Sequence, residues 1–397
     1  MKILFLTFYF EPDLCAGSFR NSSLLRELHS KANKTYSIDV ITTHPNRYDS
    51  FKVNAKDFER RSENLVIRRI NLPDHNSGII SQIKLFVIFY FNVLKMAKHE
   101  KYDLVYASSS RLFTAFLGAR LARKNRAKLY LDIRDIFRET ISDLYMHRRG
   151  ISVMLNFILR RFEAYTFDTA DAINVVSPGF REYFKENNYG EKADFYENTN
   201  GIDTMFLDNI IDNRIKTNKQ STKKIIYAGN IGSSQGLDKT LPYAMNLLGE
   251  NYELHIYGDG ARKTNLTSGI VNGHCTNIFI HDPVDRTKLK EIYNNADILF
   301  FQLSKLDAFL RVIPSKLFEY ATFNTPIVAV VDGYCKDFIN SNLSGVYTAA
   351  PEDIKGIVKA IKDIDLDKLY DRSIFIEEFS RPKINAKLAS SILYQLV

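Results

Sequence analysis

Residues 311–320 read RVIPSKLFEY, and the fold turns on how this stretch is understood. Pro314 fits the first turn of a helix, because its fixed φ is helical and its missing N–H would be unpaired there. Ser315 and Lys316 follow, then the apolar pair Leu317 and Phe318, then Glu319. A helix beginning here offers free backbone N–H groups at its start, where the helix dipole adds partial positive charge. Lys316 adds a full charge to that anion site. Glu319, about one turn further on, is an acceptor. N–H groups and a lysine suit a diphosphate, and a carboxylate suits ribose hydroxyls. The same residues also suit an ordinary capped helix with a surface lysine, so the flanking chain has to decide.

Outward from this stretch, apolar strands alternate with helices. Ile298–Phe301 and Pro326–Val331 are expected as the flanking strands. Upstream, the strand Lys224–Ala228 runs into GNIGSSQG, with Gly229, Asn230, Gly232, Gln235 and Gly236. The strand Glu253–Tyr257 runs into GDG, with Gly258 and Gly260, and Ile278–Ile280 precedes Pro283 and Val284. Tyr243–Leu248 and Lys288–Asn294 carry helical spacing. The first half repeats the scheme, with strands at Lys2–Phe10, Ser37–Thr43, Leu65–Ile70, Tyr102–Ala107, Leu129–Asp132 and Ala172–Val176. Its helices are expected at Asn21–Ala32, Ile79–Ala97, Phe113–Lys124 and Met154–Phe167, and EPDLCAGSFR at 11–20 is expected as a loop carrying Gly17 and Ser18. Strand, glycine-bearing loop, helix is the opening of a doubly wound unit. A chain of 397 residues is too long for one compact core. The pattern predicts two α/β domains, 1–200 and 201–380, with a closing helix over 381–397 and the polar stretch Asp208–Lys224 as a surface connection.

Composition narrows the function classes. Cys15, Cys275 and Cys335 are odd in number and widely spaced, which excludes a disulfide framework and a cysteine metal site and favours a reducing compartment. The histidines form no HExxH spacing. Asp363, Asp365 and Asp367 fall in a late polar stretch and are expected as solvated surface. The opening MKILFLTFYFEPD is expected as a buried first strand rather than a signal peptide, since its apolar run is short and meets Glu11-Pro12-Asp13. Residues 1–200 hold 31 Lys and Arg against 23 Asp and Glu, whereas 201–397 are balanced, so the entire net charge of +8 lies in the first half. That asymmetry points to an anionic partner for the first half, an acidic membrane surface or a nucleic acid. Asp132, Arg134 and Asp135 end an apolar strand, where charges are costly unless paired or exposed in a cleft. They are either a structural Arg–Asp pair or catalytic candidates.

Taken in order, FEPDLCAGSFR, LDIRDIF, VVSPGF, TNGID, IIYAGNIGSSQGLD, IYGDG and PSKLFEYATFNTPIVA span nearly the whole chain. With these motifs it resembles the bacterial glycosyltransferases of family 4, and within them the transferases of O-antigen and capsule biosynthesis, including the N-acetyl-L-fucosamine transferase type. The resemblance implies the GT-B fold, two Rossmann-like domains facing each other across a cleft. It implies a UDP-sugar donor, a lipid-linked saccharide acceptor, transfer with retention, and no metal or other cofactor. The loop around Gly17 and Ser18 would cover the donor diphosphate. Lys316 and the N–H groups near Ser315 and Leu317 would hold it, Glu319 would bind the ribose, and Pro283 and Val284 would meet the base. Asn230, Gly232, Gly258 and Arg311 complete the expected donor site.

Three departures from the family pattern bear on catalysis. Arg311 stands where the first of two paired glutamates is usual, leaving only Glu319. Asn230 and Gln235 stand where arginine and lysine are usual. The first-domain histidine falls at Ser109 or Ser110. Lys316, Arg311 and the helix start are then the main positive charges for the diphosphate, and Asp132 and Arg134 join Lys316 and Glu319 as catalytic candidates. The expected setting is the inner face of the cytoplasmic membrane, held there by the basic first half, with no nucleic-acid partner. Two other readings remain open: a UDP-N-acetylglucosamine 2-epimerase-like enzyme on the same fold, and a non-catalytic basic module that binds membrane or nucleic acid.

Overall fold

The computed structural model describes the chain except for residues 33–34, 47–52, 74–78, 110–111, 137, 140–148 and 208–221. Ser110, Arg148 and most of the polar connection 208–224 therefore lie outside the described residues. The chain divides into two compact units, one of Met1–Gly201 with Arg381–Val397 and one of Ile202–Ser380.

The first unit is built on an eight-stranded sheet in the order β3-β4-β2-β1-β5-β6-β7-β8. In chain order its elements are β1 (Lys2–Leu6), α1 (Ala16–Ala32), β2 (Ser37–Thr43), β3 (Phe58–Ser62), β4 (Leu65–Ile70), α2 (Ile79–Met96), β5 (Leu104–Ser108), α3 (Leu112–Asn125), β6 (Lys128–Ile133), α4 (Arg149–Asp168), β7 (Ala172–Val175), α5 (Phe180–Asn187) and β8 (Asp194–Tyr196). All neighbours pair in parallel except β3 with β4. Central strands read as unbroken apolar runs because helices cover both faces, and Ile3 to Leu6 are wholly buried. β3, reading FERRS, is an exposed charged edge strand with no apolar alternation to announce it. The strand order reverses between β1 and β5, so the crevice at their carboxyl ends is the expected ligand position.

The second unit repeats the plan with α6 (Thr204–Leu207), β9 (Lys223–Ala228), α7 (Leu237–Leu248), β10 (Tyr252–Tyr257), α8 (Lys263–Asn272), β11 (Ile278–His281), α9 (Arg286–Asn294), β12 (Ile298–Gln302), α10 (Ser315–Tyr320), β13 (Ile327–Val330), α11 (Tyr334–Asn342), β14 (Val346–Ala349), α12 (Ile354–Lys362) and α13 (Ser373–Glu378). Its six parallel strands run β11-β10-β9-β12-β13-β14, with the reversal between β9 and β12. The turn after β9 carries Gly229, and the helix that follows β12, α10, carries Lys316. One apolar cluster lies on each side of this sheet, around Leu299, Phe301 and Leu317 on one and Leu254, Phe300 and Val328 on the other.

The closing helix α14 (Arg381–Tyr394) returns to the first unit and packs on α1. Leu388, Ala389 and Ile392 are fully buried in one cluster with Leu24 and Leu28. Ser391 shares a 2.7 Å hydrogen bond with the Tyr130 hydroxyl, and Asn385 donates to Ser23 at 2.7 Å.

Candidate functional site

The stretch 311–320 folds as a short helix entered through Pro314. Pro314 takes the N-cap position, with ψ 138°, rather than the first helical turn. Its ring still sets the entry, but α10 is only six residues long, so its dipole is small. Leu317 and Phe318 are wholly buried and anchor the helix in the core. The Leu317 side chain is therefore core, and its N–H already donates to the Pro314 carbonyl at 3.1 Å. The N–H groups of Ser315 and Lys316 have no partner within the helix, as first-turn donors never do.

Anchored this way, α10 projects Lys316 over the turn that follows β9. Its ammonium lies 5.1 Å from the centre of the Tyr227 ring and directly against Gly229. Gly229 has φ +143° and no room for a Cβ, which the lysine would meet. Among the described residues no carboxylate pairs with Lys316. Burial disfavours its charged form, Glu319 one turn away offsets part of that, and the net effect lowers its pKa to about 8. The turn beside it is tightly built. Gly229 N–H donates to the Tyr257 carbonyl at 2.8 Å, Ile231 N–H to the Asp259 carbonyl at 2.8 Å, and a Cβ at Gly258 would collide with the Gly229 carbonyl. Asn230 and Gln235 hydrogen-bond each other at 2.9 Å beside Gly232, so two neutral amides occupy this turn. Pro283 is exposed and Val284 half-buried between β11 and α9, and Arg311 is half-buried.

Glu319 accepts from Arg286 at 3.2 Å, and Arg286 also pairs with Asp203 and lies 5.0 Å from the centre of the Phe206 ring. Sequence reasoning missed Arg286. The signal available was HDPVDR, where Asp285 N-caps α9 and so fixes the residue after it near the base of the loop.

In the first unit α1 starts at Ala16, so Gly17 and Ser18 lie in its first turn rather than in a loop. The Arg134 Nη1 sits 2.8 Å from where a Cβ on Gly17 would stand. The Nε and Nη1 of Arg134 and the Ser18 hydroxyl are buried without hydrogen-bond partners. The Arg134 backbone N–H donates to the Ser109 hydroxyl at 3.0 Å. Asp132 has a different character. It is wholly buried and receives two hydrogen bonds of 2.9 Å from Arg20, one of 2.8 Å from Asn174 and one of 3.1 Å from Tyr106. Burial opposes its ionisation, but the charge and hydrogen bonds of Arg20 outweigh that and hold its pKa below the ordinary carboxylate value. Arg20 also donates to the carbonyls of Thr199 at 2.6 Å and Asn198 at 2.9 Å. The expected structural pair exists, but its arginine is Arg20 and not Arg134. Asp132 is thus a buried post that ties β5, β6, β7 and α1 together, with both oxygens engaged inside the unit.

Among the described residues no three His, Cys, Asp or Glu stand together in a way that could hold a metal ion.

Two largely parallel sheets of Rossmann type, one in each unit, are the architecture of the GT-B fold. Residues 22–195 match the family described as glycosyl transferase 4-like domain, and residues 209–378 match glycosyl transferases group 1. The chain belongs to these glycosyltransferases, one domain of the kind in each half. No curated protein matches it by sequence. Among solved structures it is similar to sucrose-phosphate synthase from Thermosynechococcus elongatus, at 14% identity and TM-score 0.72 over 100% of this chain and 99% of that one. It is also similar to the lipopolysaccharide outer core galactosyltransferase WaaB, at 13% identity and TM-score 0.60 over the whole of both chains. HepE of Anabaena, in complex with UDP, matches at 14% identity and TM-score 0.62 over 99% and 100%.

Proposed function

We propose that this glycosyltransferase takes its sugar from a UDP-sugar and transfers it, with retention, to a lipid-linked saccharide in the building of a surface polysaccharide of the O-antigen or capsule kind. The observation that carries the donor assignment is Lys316, a half-buried ammonium held over Gly229 with no carboxylate partner among the described residues. A cation kept in that position serves an anion that arrives from outside. The donor diphosphate lies along the Gly229–Gly232 turn, against Lys316 and the N–H groups of Ser315 and Lys316. Arg311 adds charge nearby, Glu319 takes the ribose hydroxyls, and the backbone at Pro283 and Val284 meets the base. In the first unit Arg134, with two donors that lack partners beside Gly17 and Ser18, is the candidate to serve substrate there. No metal takes part, and these cations stabilise the diphosphate as it leaves.

The chemistry is a substitution at the anomeric carbon. Its bond to the diphosphate oxygen breaks, a bond to the acceptor hydroxyl oxygen forms on the same face, and the hydroxyl proton passes to the departing phosphate. No side-chain nucleophile is required. The cytoplasmic face of the membrane is the natural setting, because donor and lipid-linked acceptor meet there. That WaaB is an outer core galactosyltransferase and HepE binds UDP is consistent with this reading.

The test is substitution. Lys316→Ala and Glu319→Ala should each keep the wild-type melting profile and lower turnover. Loss of a charge-assisted hydrogen bond costs about 1.5–3 kcal/mol, or roughly one to two decades in rate if it acts in the transition state. Wild-type turnover together with wild-type UDP affinity in either variant would sink the assignment.

A further inference from the structure

The first unit carries a surface that its own fold leaves unused. Helices α2, α3 and α4 connect parallel strands β4 to β5, β5 to β6 and β6 to β7, and they form one layer on one face of the sheet. Phe86 stacks on Phe113 at 5.0 Å, and Phe116 meets Phe162 edge-on at 4.8 Å, which locks the three side by side. Because each helix returns from one parallel strand to the next, all three run in the same direction, with their N-terminal ends at the carboxyl ends of the strands.

Along α2 the exposed positions Ile83, Val87, Phe91 and Lys95 follow one another at intervals of four, on one stripe of the helix. The first three are apolar, and Phe91 is 64% exposed. α4 has the same layout: Val153, Met154, Phe157 and Ile158 are exposed in its first half, Val153 by 70% and Phe157 by 65%, followed by exposed Arg160 and Arg161. Between them, α3 exposes Arg120, Arg123 and Lys124 toward its end. Leu94, Lys95, Lys98, Arg120, Leu121 and Lys124 line one open groove between α2 and α3. Thus exposed apolar side chains lead on two helices, with Lys84 beside those of α2, and a band of cations lies behind them.

The band is also unpaired. Among the described residues none of Lys95, Lys98, Arg120, Lys124, Arg160 or Arg161 pairs with a carboxylate. Elsewhere in the same unit basic side chains find acids, as in Lys2–Glu100, Arg61–Glu11, Arg69–Glu59, Lys128–Asp171 and Arg181–Glu197. On this face uncompensated charge stands beside exposed large apolar side chains.

We infer that this face is a docking surface for an anionic phospholipid bilayer, with the α2–α3 groove taking lipid phosphate. Apolar side chains lying flat at the headgroup boundary with cations at the phosphate level are the arrangement of an interfacial helix. Among the described residues no helix is long and apolar enough to cross a membrane; in this arrangement α2 lies in the surface plane. The carboxyl ends of β1, β5 and β6, and with them Gly17 and Arg134, stand at the apolar end of the layer. A lipid-linked acceptor is thereby presented to the end of the sheet where Arg134 waits. This inference rests on the lipid-linked acceptor proposed above and names the surface that reaches it.

The test is sedimentation of the full chain with vesicles of phosphatidylcholine alone and of phosphatidylcholine with one third phosphatidylglycerol, with UDP binding measured on the same samples. The wild type is expected to bind only the anionic vesicles and to release in high salt. Lys95→Glu with Arg120→Glu, and separately Phe91→Ser with Phe157→Ser, are expected to weaken partitioning by about tenfold or more while UDP binding holds. Equal binding to both vesicle types, or charge reversals without effect, overturns the inference. So does a wild-type dimer that Phe91→Ser with Phe157→Ser converts to monomer, since the face then belongs to a second copy of the chain. Vesicle failure with intact UDP binding removes the docking surface and leaves the transferase reading standing. Vesicle binding without UDP binding does the reverse.

Discussion

Lys316 is the residue on which most depends, and its environment gives it a testable signature. An ordinary lysine titrates near pH 10.4, so a surface lysine would hold a phosphate equally well at pH 7 and pH 9. Burial brings Lys316 down to about 8. The sign follows: its charge is nearly complete well below that value and is lost as pH rises through it, while a phosphate with a second pKa of about 6 is already almost fully ionised by about pH 7.5. We therefore expect the dissociation constant for UDP to climb between pH 7.5 and 9.5, and the climb to vanish in Lys316→Met. Calorimetry across that range decides the matter, and a flat wild-type profile returns Lys316 to the surface. Lys316 and Glu319 were legible in the sequence because a proline, a lysine and a carboxylate one turn apart state their geometry locally. Arg20 and Arg286 were not. Each acquires its role from partners far away in the chain, Asp132 in one case and Asp203 and Glu319 in the other, and local spacing does not announce a long-range pair.

At the scale of elements, α14 shows how the chain's last helix completes its first domain. Leu388 is fully buried against the face of α1 that carries Leu24 and Leu28. Leu388→Ala should destabilise the protein by about 2–5 kcal/mol, the usual cost of truncating a buried leucine. Chemical denaturation should show that loss in the first unit, where the tyrosines around Tyr130 report. Unchanged stability would mean that the helix is an appendage. The β-strand pattern was legible wherever strands are buried on both sides, as in ILFL at the start and IVAV in β13. It was lost at the edge strands β3, β8 and β14, and at the start of α1, where Gly17 and Ser18 read as loop residues. That first turn contains a glycine, and the space a Cβ would fill there is taken by Arg134.

At the scale of the whole molecule, two α/β units of the glycosyltransferase kind were legible because alternation of strand and helix survives in each half, and the order of the motifs adds what no single glycine loop could. The identities of donor and acceptor are carried by side-chain detail within loops, and there the usual charged pair has become Asn230 and Gln235, bonded to each other. The proposed donor site then leans on Lys316, and we propose that it takes a uridine diphosphate without a metal. Titration calorimetry of the full-length protein in EDTA, with UDP and UDP-sugars against ADP and GDP, measures that claim directly. One-to-one binding of the uridine ligands is expected, weakened by about tenfold or more in Lys316→Ala, with little or no binding of the purine diphosphates. Equal binding of all the diphosphates, or uridine binding that appears only when Mg²⁺ or Mn²⁺ is restored, would contradict it.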